Sequence, residues 1–213
     1  MKMFIDCSHV IEENMPVYPG TEGPTLLQAC TLEDVGFREK KWIMYSHTGT
    51  HMDAPAHMLA EGKTLDQFSV EKFMGRGMVV DVRECTEKEI PLMRLQSYES
   101  ILKKVDYVLI QTGWEEYWGS EQYVGNFPAL SIEAAKYLMK FNLKGIGVDA
   151  ISIDLMDTET FPIHKILLEN ELVIIENLKN MSLLEGRFDF YAFPLNVKDA
   201  DGSPIRAVAV VEE

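Results

Sequence analysis

Two kinds of apolar run divide this chain. Tyr107-Val-Leu-Ile110 and Leu172-Val-Ile-Ile175 are continuous, without the alternation of a strand that has one wet face, and they predict strands covered on both sides. Similar or alternating runs predict further strands at Met3 to Ser8, Thr25 to Leu32, Lys41 to Ser46, Met78 to Arg83, Val105 to Gln111, Gly145 to Val148, Phe188 to Phe193 and Ile205 to Val211. Helical spacing is clearest over Ile132 to Phe141, where Ile132, Ala135, Leu138 and Met139 share a face and Ser131 stands at the N-cap. Shorter helices are expected at Val70 to Met74, Leu92 to Lys104 and Ile163 to Asn170. The mixture predicts an α/β fold with a largely buried sheet and further strands layered on it. No repeat, low-complexity tract or linker marks a boundary, so residues 1–213 are expected to form a single domain.

Composition is globular, with 46% hydrophobic residues, and narrows function mainly by exclusion. The formal net charge is -14 and no run of Lys or Arg could track a phosphate backbone, which argues against nucleic acid as a partner. Cys7, Cys30 and Cys85 have neither zinc-pair nor disulfide spacing, and read as reduced, mostly buried thiols. The N-terminus lacks the apolar stretch of a signal peptide, and no run approaches about 18 apolar residues, so no membrane partner and a cytoplasmic location are expected. A small-molecule substrate remains the expected partner.

The stretch His47-Thr-Gly-Thr-His51-Met-Asp53-Ala-Pro55-Ala-His57 is the densest cluster of metal-ligand chemistry in the chain. It holds three of the five histidines and an aspartate. Imidazole and carboxylate together suit zinc, manganese or ferrous iron, and three protein ligands leave positions open for water or substrate. At about 3.3 Å per residue an extended strand would put His47 and His51 on the order of 13 Å apart, too far for one ion. A helix would align them but point Asp53 elsewhere, and Thr-Gly-Thr is poor helix material. The chain must therefore bend, and Gly49 permits it. Asp53-Ala-Pro55 reads as a helix start, with Asp53 near the N-cap and Pro55 in the first turn. His57 then rises on the side of Asp53, within reach of a metal's water without being a ligand, as a candidate general acid/base.

His164 and Glu176 are the remaining metal candidates. Taken locally, a solvated strand-end carboxylate and a structural histidine account for them better than metal binding does. If both bind, Asp53 could bridge two ions about 3.5–4 Å apart, one on His47 and His51 and the other on His164 and Glu176. The segment Trp114 to Pro128 carries five aromatics, which either line a substrate pocket or anchor their own loop. No Gly-x-Ser-x-Gly elbow competes as a nucleophile site.

The motif from His47 to His57 resembles the signature His-x-Gly-Thr-His-x-Asp-x-Pro-x-His of the cyclase family of metal-dependent hydrolases, which includes bacterial kynurenine formamidase and isatin hydrolase. Met15-Pro-Val-Tyr-Pro-Gly20, Gly145 to Asp154, Ala192 to Leu195 and Gly202 to Ala207 resemble further family segments, so the likeness spans nearly the whole chain. It implies a layered β/β/α domain with a mixed sheet that assembles as a homodimer or homotetramer. It also implies one or two metal ions, Zn2+ or alternatively Mn2+, held by His47, His51, Asp53, His164 and Glu176, with His57 as the catalytic histidine. The implied reaction is hydrolysis of a formamide or cyclic amide, most like an arylformamidase acting on N-formylkynurenine, with Tyr18 and Trp114 as candidate substrate-binding residues. Isatin, a lactone, or metal-dependent binding without turnover are the alternatives. Asn170 stands where formamidases carry a further histidine, and Tyr18 where a tryptophan is common.

Overall fold

The computed structural model describes residues 1–212. Its strands are β1 (Lys2–Asp6), β2 (Thr25–Cys30), β3 (Glu39–Ile43), β4 (His51–Asp53), β5 (Met74–Asp81), β6 (Glu89–Ile90), β7 (Tyr107–Gln111), β8 (Ala129–Leu130), β9 (Gly145–Val148), β10 (Val173–Glu176), β11 (Arg187–Pro194) and β12 (Gly202–Glu212). The helices are α1 (Leu32–Val35), α2 (Leu92–Gln96), α3 (Glu99–Leu102), α4 (Ile132–Leu138) and α5 (Pro162–Glu169). The fold is α/β, as the patterning predicts, with the mixed sheet that the resemblance implies. The sheet runs β1-β12-β11-β5-β7-β9-β10-β4, parallel from β5 through β10 and antiparallel elsewhere, and β4 pairs back onto β12 to close it into a barrel.

The continuous apolar runs are covered on both sides. Val108, Ile110, Ile146 and Ile174 pack toward the helices with Ala134, Leu138, Ile163 and Leu167. Their alternates Tyr107, Leu109, Val173 and Ile175 pack on the other side with Met52, Phe188, Phe190 and Ala207 from the antiparallel strands. Space is tight where large side chains meet β9: a Cβ at Gly147 would lie 2.5 Å from Leu178 and 2.7 Å from Leu109. Ser131 caps α4, its hydroxyl accepting from Ala134 N at 3.1 Å.

Several local expectations need correcting. The single helix expected from Leu92 to Lys104 is two short ones, because Tyr98 between them leaves helical geometry with φ -98° and ψ 3°. The Val70 segment is a 3-10 turn over Val70–Phe73. Strand β3 stops at Ile43 rather than Ser46, and Asp53 ends strand β4 instead of capping a helix. Ala54 takes the cap position of a 3-10 turn, Pro55–His57. Pairing on both sides of β4 outweighs the helix-start signal, and the Asp53 carboxylate is drawn to histidines rather than to backbone amides. Of the thiols only Cys7 is buried, with Cys30 and Cys85 partly exposed and none paired. No helix among the described residues is long and apolar enough to cross a membrane. The β2–β3 hairpin forms a two-stranded sheet of its own, with Leu27, Trp42 and Ile43 exposed.

Leu109 is fully buried, so Leu109→Ala is expected to cost about 2–5 kcal/mol in urea unfolding. Met93→Ala on the exposed side of α2 should stay within about 0.5 kcal/mol. Equal costs would contradict this placement of the core.

Candidate metal centre and catalytic site

The bend is where the spacing requires it. Gly49 sits at φ +67°, a left-handed conformation that suits glycine, and the turn brings the His47 and His51 rings to 5.2 Å between centroids. Strand register supplies the rest. The antiparallel pairing of β4 with β10 sets Glu176 opposite His51, and pairing with β12 sets Gly202 opposite Asp53. His164 enters from the first turn of α5.

Asp53 is the meeting point. Its Oδ1 lies 2.7 Å from His47 Nδ1 and 3.3 Å from His51 Nε2, and its Oδ2 is 3.7 Å from His164 Nε2. Glu176 offers Oε2 to His51 Nε2 at 3.4 Å and Oε1 to His164 Nε2 at 3.3 Å, the latter oxygen also accepting from Ile153 N at 2.7 Å. All five candidate ligands are thus brought together. Their grouping differs from the expected division. Donor atoms within 4.8 Å of one another form one set of His51, Asp53 and Glu176, and another of His47, Asp53 and His57. Cross-strand register is the reason, since it places His51 against Glu176, and Asp53 belongs to both sets.

Each of the three inner histidines is aimed by an acceptor on its other ring nitrogen. His47 Nε2 lies 3.0 Å from Asp201 Oδ2, His51 Nδ1 2.8 Å from Gly49 O, and His164 Nδ1 2.7 Å from Asp154 Oδ2. A carbonyl only accepts, so His51 Nδ1 carries a hydrogen, and Nε2 is the nitrogen left to face the two carboxylates. Such outer acceptors fix tautomer and orientation in metal sites. Asp154 also accepts from Ile163 N and His164 N at 2.9 Å each, which satisfies free amides of the first turn of α5. His57 differs: its ring makes no hydrogen bond among the described residues. Its nearest charged partner is Asp201, 3.9 Å from Nδ1.

These residues fit a divalent cation. Asp53 Oδ2 is buried and accepts no hydrogen bond, a costly state for a carboxylate oxygen unless a cation compensates it. The nitrogen and oxygen donor set suits zinc, manganese or ferrous iron. Electrostatics agree. Burial alone would lower the His51 and His164 pKa values, but hydrogen bonds and charge from Asp53 and Glu176 on the first, and from Asp154 and Glu176 on the second, push both up to about 10. Asp53 is held well below the usual carboxylate range, against the opposing effect of burial, by His47 and His51. His57 runs the other way. Burial and the neighbouring His47 and His164 lower its pKa, only partly offset by Asp53 and Glu176, so its imidazole is neutral at neutral pH.

A cavity of about 570 Å3 opens over His47, His51, His57 and Glu176, with Tyr18, Tyr45, Met58, Ile151 and Phe161 among its walls. Tyr18 therefore reaches the site. Trp114 does not: it lines a separate, smaller hollow near Cys85 and Pro128, and its Nε1 donates to Tyr123 O. The loop turns its aromatics inward to pack on one another, Trp114 against Tyr117 and Phe127. Asp201 and Asn177 also line the cavity and were not singled out from sequence. Asp201-Gly202 reads as an ordinary turn pair, and Asn177 as the polar end of a strand.

Residues 5–155 match the family model Cyclase, described as "Putative cyclase". Kynurenine formamidase of Bacillus cytotoxicus is 30% identical over 206 residues, covering 96% of both chains, and that of Bacillus cereus ATCC 14579 is similar at 30% over the same coverage. The chain belongs to the cyclase family. As a member of the cyclase family it is a metal-dependent hydrolase, and solved cyclase-family structures share its fold. A structure described as a potential metal-dependent hydrolase with cyclase activity superposes with TM-score 0.85 at 27% identity, covering 100% of both chains. Isatin hydrolase A of Labrenzia aggregata, bound to benzyl benzoate, superposes with TM-score 0.90 at 23% identity, covering 100% of this chain and 94% of that one.

Two outcomes follow from this geometry. A Cβ at Gly202 would lie 2.5 Å from His47 Cε1 and 2.7 Å from Nε2, so Gly202→Ala must displace the ring. Metal affinity in chelator competition is expected to fall about 10-fold or more; an unchanged affinity would remove His47 from the ligand set. The second outcome concerns protons. The metal-free His51 and His164 are raised from 6.5 to about 10, so their stabilising contribution is full below about pH 6.5 and is lost as pH rises toward 10. The Tm of chelator-treated protein should fall across that window, and metal uptake at pH 7 should release protons, measured by calorimetry in buffers of different ionisation enthalpy. Proton-neutral uptake would contradict this charge state.

Proposed function

We propose that this hydrolase cleaves a non-peptide amide C–N bond, most like an arylformamidase acting on N-formylkynurenine or a related aryl formamide. The observation that carries the reading is the contrast among four neighbouring histidines. Three are clamped by outer acceptors and converge on buried carboxylates, while the fourth stands neutral and unclamped in the cavity wall, its ring 4.0 Å from that of His47. The full-length similarity to kynurenine formamidases supports the substrate class.

In this reading His47, His51, Asp53, His164 and Glu176 hold one or two ions, Zn2+ first and Mn2+ second, the choice that suits a set of imidazoles and carboxylates. A bound divalent ion would supply acidification of water toward neutral pH and electrostatic stabilisation of a carbonyl oxygen. The protein's own groups do the rest. Asp53 and Glu176, buried and ionised, fix the imidazoles that face them. Neutral His57 takes the proton of the attacking water on a ring nitrogen and passes it to the departing nitrogen, so that formate and a free amine leave. Tyr18, Tyr45 and Phe161 give the cavity aromatic walls against which an aryl group can pack.

The protein works on a small molecule rather than on nucleic acid or at a membrane, and in the cytoplasm, a setting that three unpaired cysteines suit. We assign it a homodimer or homotetramer, supported by the β2–β3 hairpin. An isolated two-stranded sheet is marginal alone, and Leu27, Trp42 and Ile43 are exposed on it. In sedimentation the protein should run above its monomer mass, and Trp42→Asp should shift it down; a monomer in both cases ends this assignment.

With Zn2+ or Mn2+ supplied, His57→Ala is expected to lower kcat on N-formylkynurenine about 10²–10⁴-fold and to leave metal content intact. Asp53→Asn should instead strip metal, read by elemental analysis. Turnover near the parent value in His57→Ala would remove the proton-transfer role. No turnover of any formamide or of isatin by the metal-loaded parent would remove the reaction class.

A further inference from the structure

The geometry points to Tyr123 and Asn177 as positioning residues for His51, and so to the aromatic segment Trp114 to Pro128 as outer support of the metal centre. This rests on the reading of His51 as a ligand.

None of the five aromatics of that segment lines the cavity over the histidines. They pack behind it. Trp118 stacks on His9 at 3.7 Å with its plane tilted by 11°, and Tyr123 meets Trp118 edge-on at 5.0 Å. Tyr123 is fully buried, and its hydroxyl donates to Asn177 Oδ1 at 2.7 Å, with Asp149 O a more distant acceptor at 3.3 Å. Asn177 Nδ2 in turn donates to Gly49 O at 2.7 Å, the same carbonyl that receives His51 Nδ1. The chain of contacts thus runs from the aromatic loop to the metal-facing imidazole.

The direction of each bond gives Tyr123 its role. An amide can be turned over at little steric cost, and its partners decide which end is oxygen. Gly49 O can only accept and the phenol donates to Oδ1, so the two partners together hold Nδ2 toward Gly49 O. In the flipped amide Oδ1 would face that carbonyl oxygen and would lie near His51 Nδ1, whose hydrogen it could draw away. The Nδ2 position is 3.5 Å from His51 Nδ1. Tyr123 therefore acts through the amide to hold the Gly49 carbonyl as the acceptor for His51, which keeps Nε2 aimed at Asp53 and Glu176. The backbone is committed to this arrangement. Asn177 holds φ +59°, its carbonyl accepts from Thr50 Oγ1 at 2.6 Å, and its N–H donates to Ala150 O at 2.9 Å.

Tyr123→Phe keeps the ring and removes only the hydroxyl. Asn177→Gly keeps the positive φ and removes only the amide. With Zn2+ alone as the probe and chelator competition as the measurement, each is expected to weaken binding about 10-fold or more, as loss of outer partners does. The double variant should bind no more weakly than Asn177→Gly, because Tyr123 acts only through the amide. Co2+ loaded in place of Zn2+ should show shifted ligand-field bands in both single variants, a change that a merely structural role would not produce. Zn2+ affinity within twofold of the parent in both singles, or losses that multiply in the double, overturns the proposal. His51→Ala separates the two readings: parental Zn2+ affinity there removes His51 as a ligand and this support with it, whereas loss of Zn2+ there with unaffected single variants overturns the support alone.

Discussion

A buried carboxylate on the strand that closes the barrel is the constraint on which the rest depends. Asp53 is 1% exposed, and an ionised group in that position is unstable unless charge and hydrogen bonds compensate it. The chain supplies that compensation with three imidazoles from separate places: the bend at Gly49, strand β4 itself and the first turn of α5. The pairings of β4 on both edges add Glu176 opposite His51 and set the start of β12 opposite Asp53. Fold and chemistry therefore share one set of contacts.

The outer acceptors differ in kind. Two are carboxylates, Asp201 and Asp154, and one is the backbone carbonyl of Gly49. Carboxylates add negative charge and raise the basicity of the ring they hold, whereas the carbonyl orients without adding charge. His51, which already faces both Asp53 and Glu176, is the ring that takes the neutral acceptor. His164 takes a charged one deep inside, where Asp154 is also partnered by two amides of α5.

Much of the framework was legible in the sequence because it rests on local pattern. Continuous apolar runs marked β7 and β10, and the spacing from His47 to Asp53 required the bend that Gly49 makes. The motif brought forward His47, His51 and Asp53 as candidate ligands, and resemblance added His164 and Glu176, which no local rule could separate from a structural histidine and a solvated carboxylate. What stayed hidden is set by pairing over long separations. Strand β4 is three residues long and exists only because β10 and β12 flank it, so its residues read as a helix start. Asp201 lies 154 residues from His47 along the chain and looked like half of a turn. The aromatic segment offered two readings, and its inward packing could not be read from composition.

The closure of the barrel through β4 has a thermodynamic consequence. The strand pairs on one side with β10, which carries Glu176, and on the other with β12, which follows the His47 acceptor Asp201, so the closed barrel and the assembled donor set form together. An ion that binds only the closed form must stabilise it by RT ln(1 + [L]/Kd), about 2.7 kcal/mol at a hundredfold excess over Kd. The seam is then a latch whose strength a bound ion would set from outside the molecule, tightening the folded state as free metal rises above Kd.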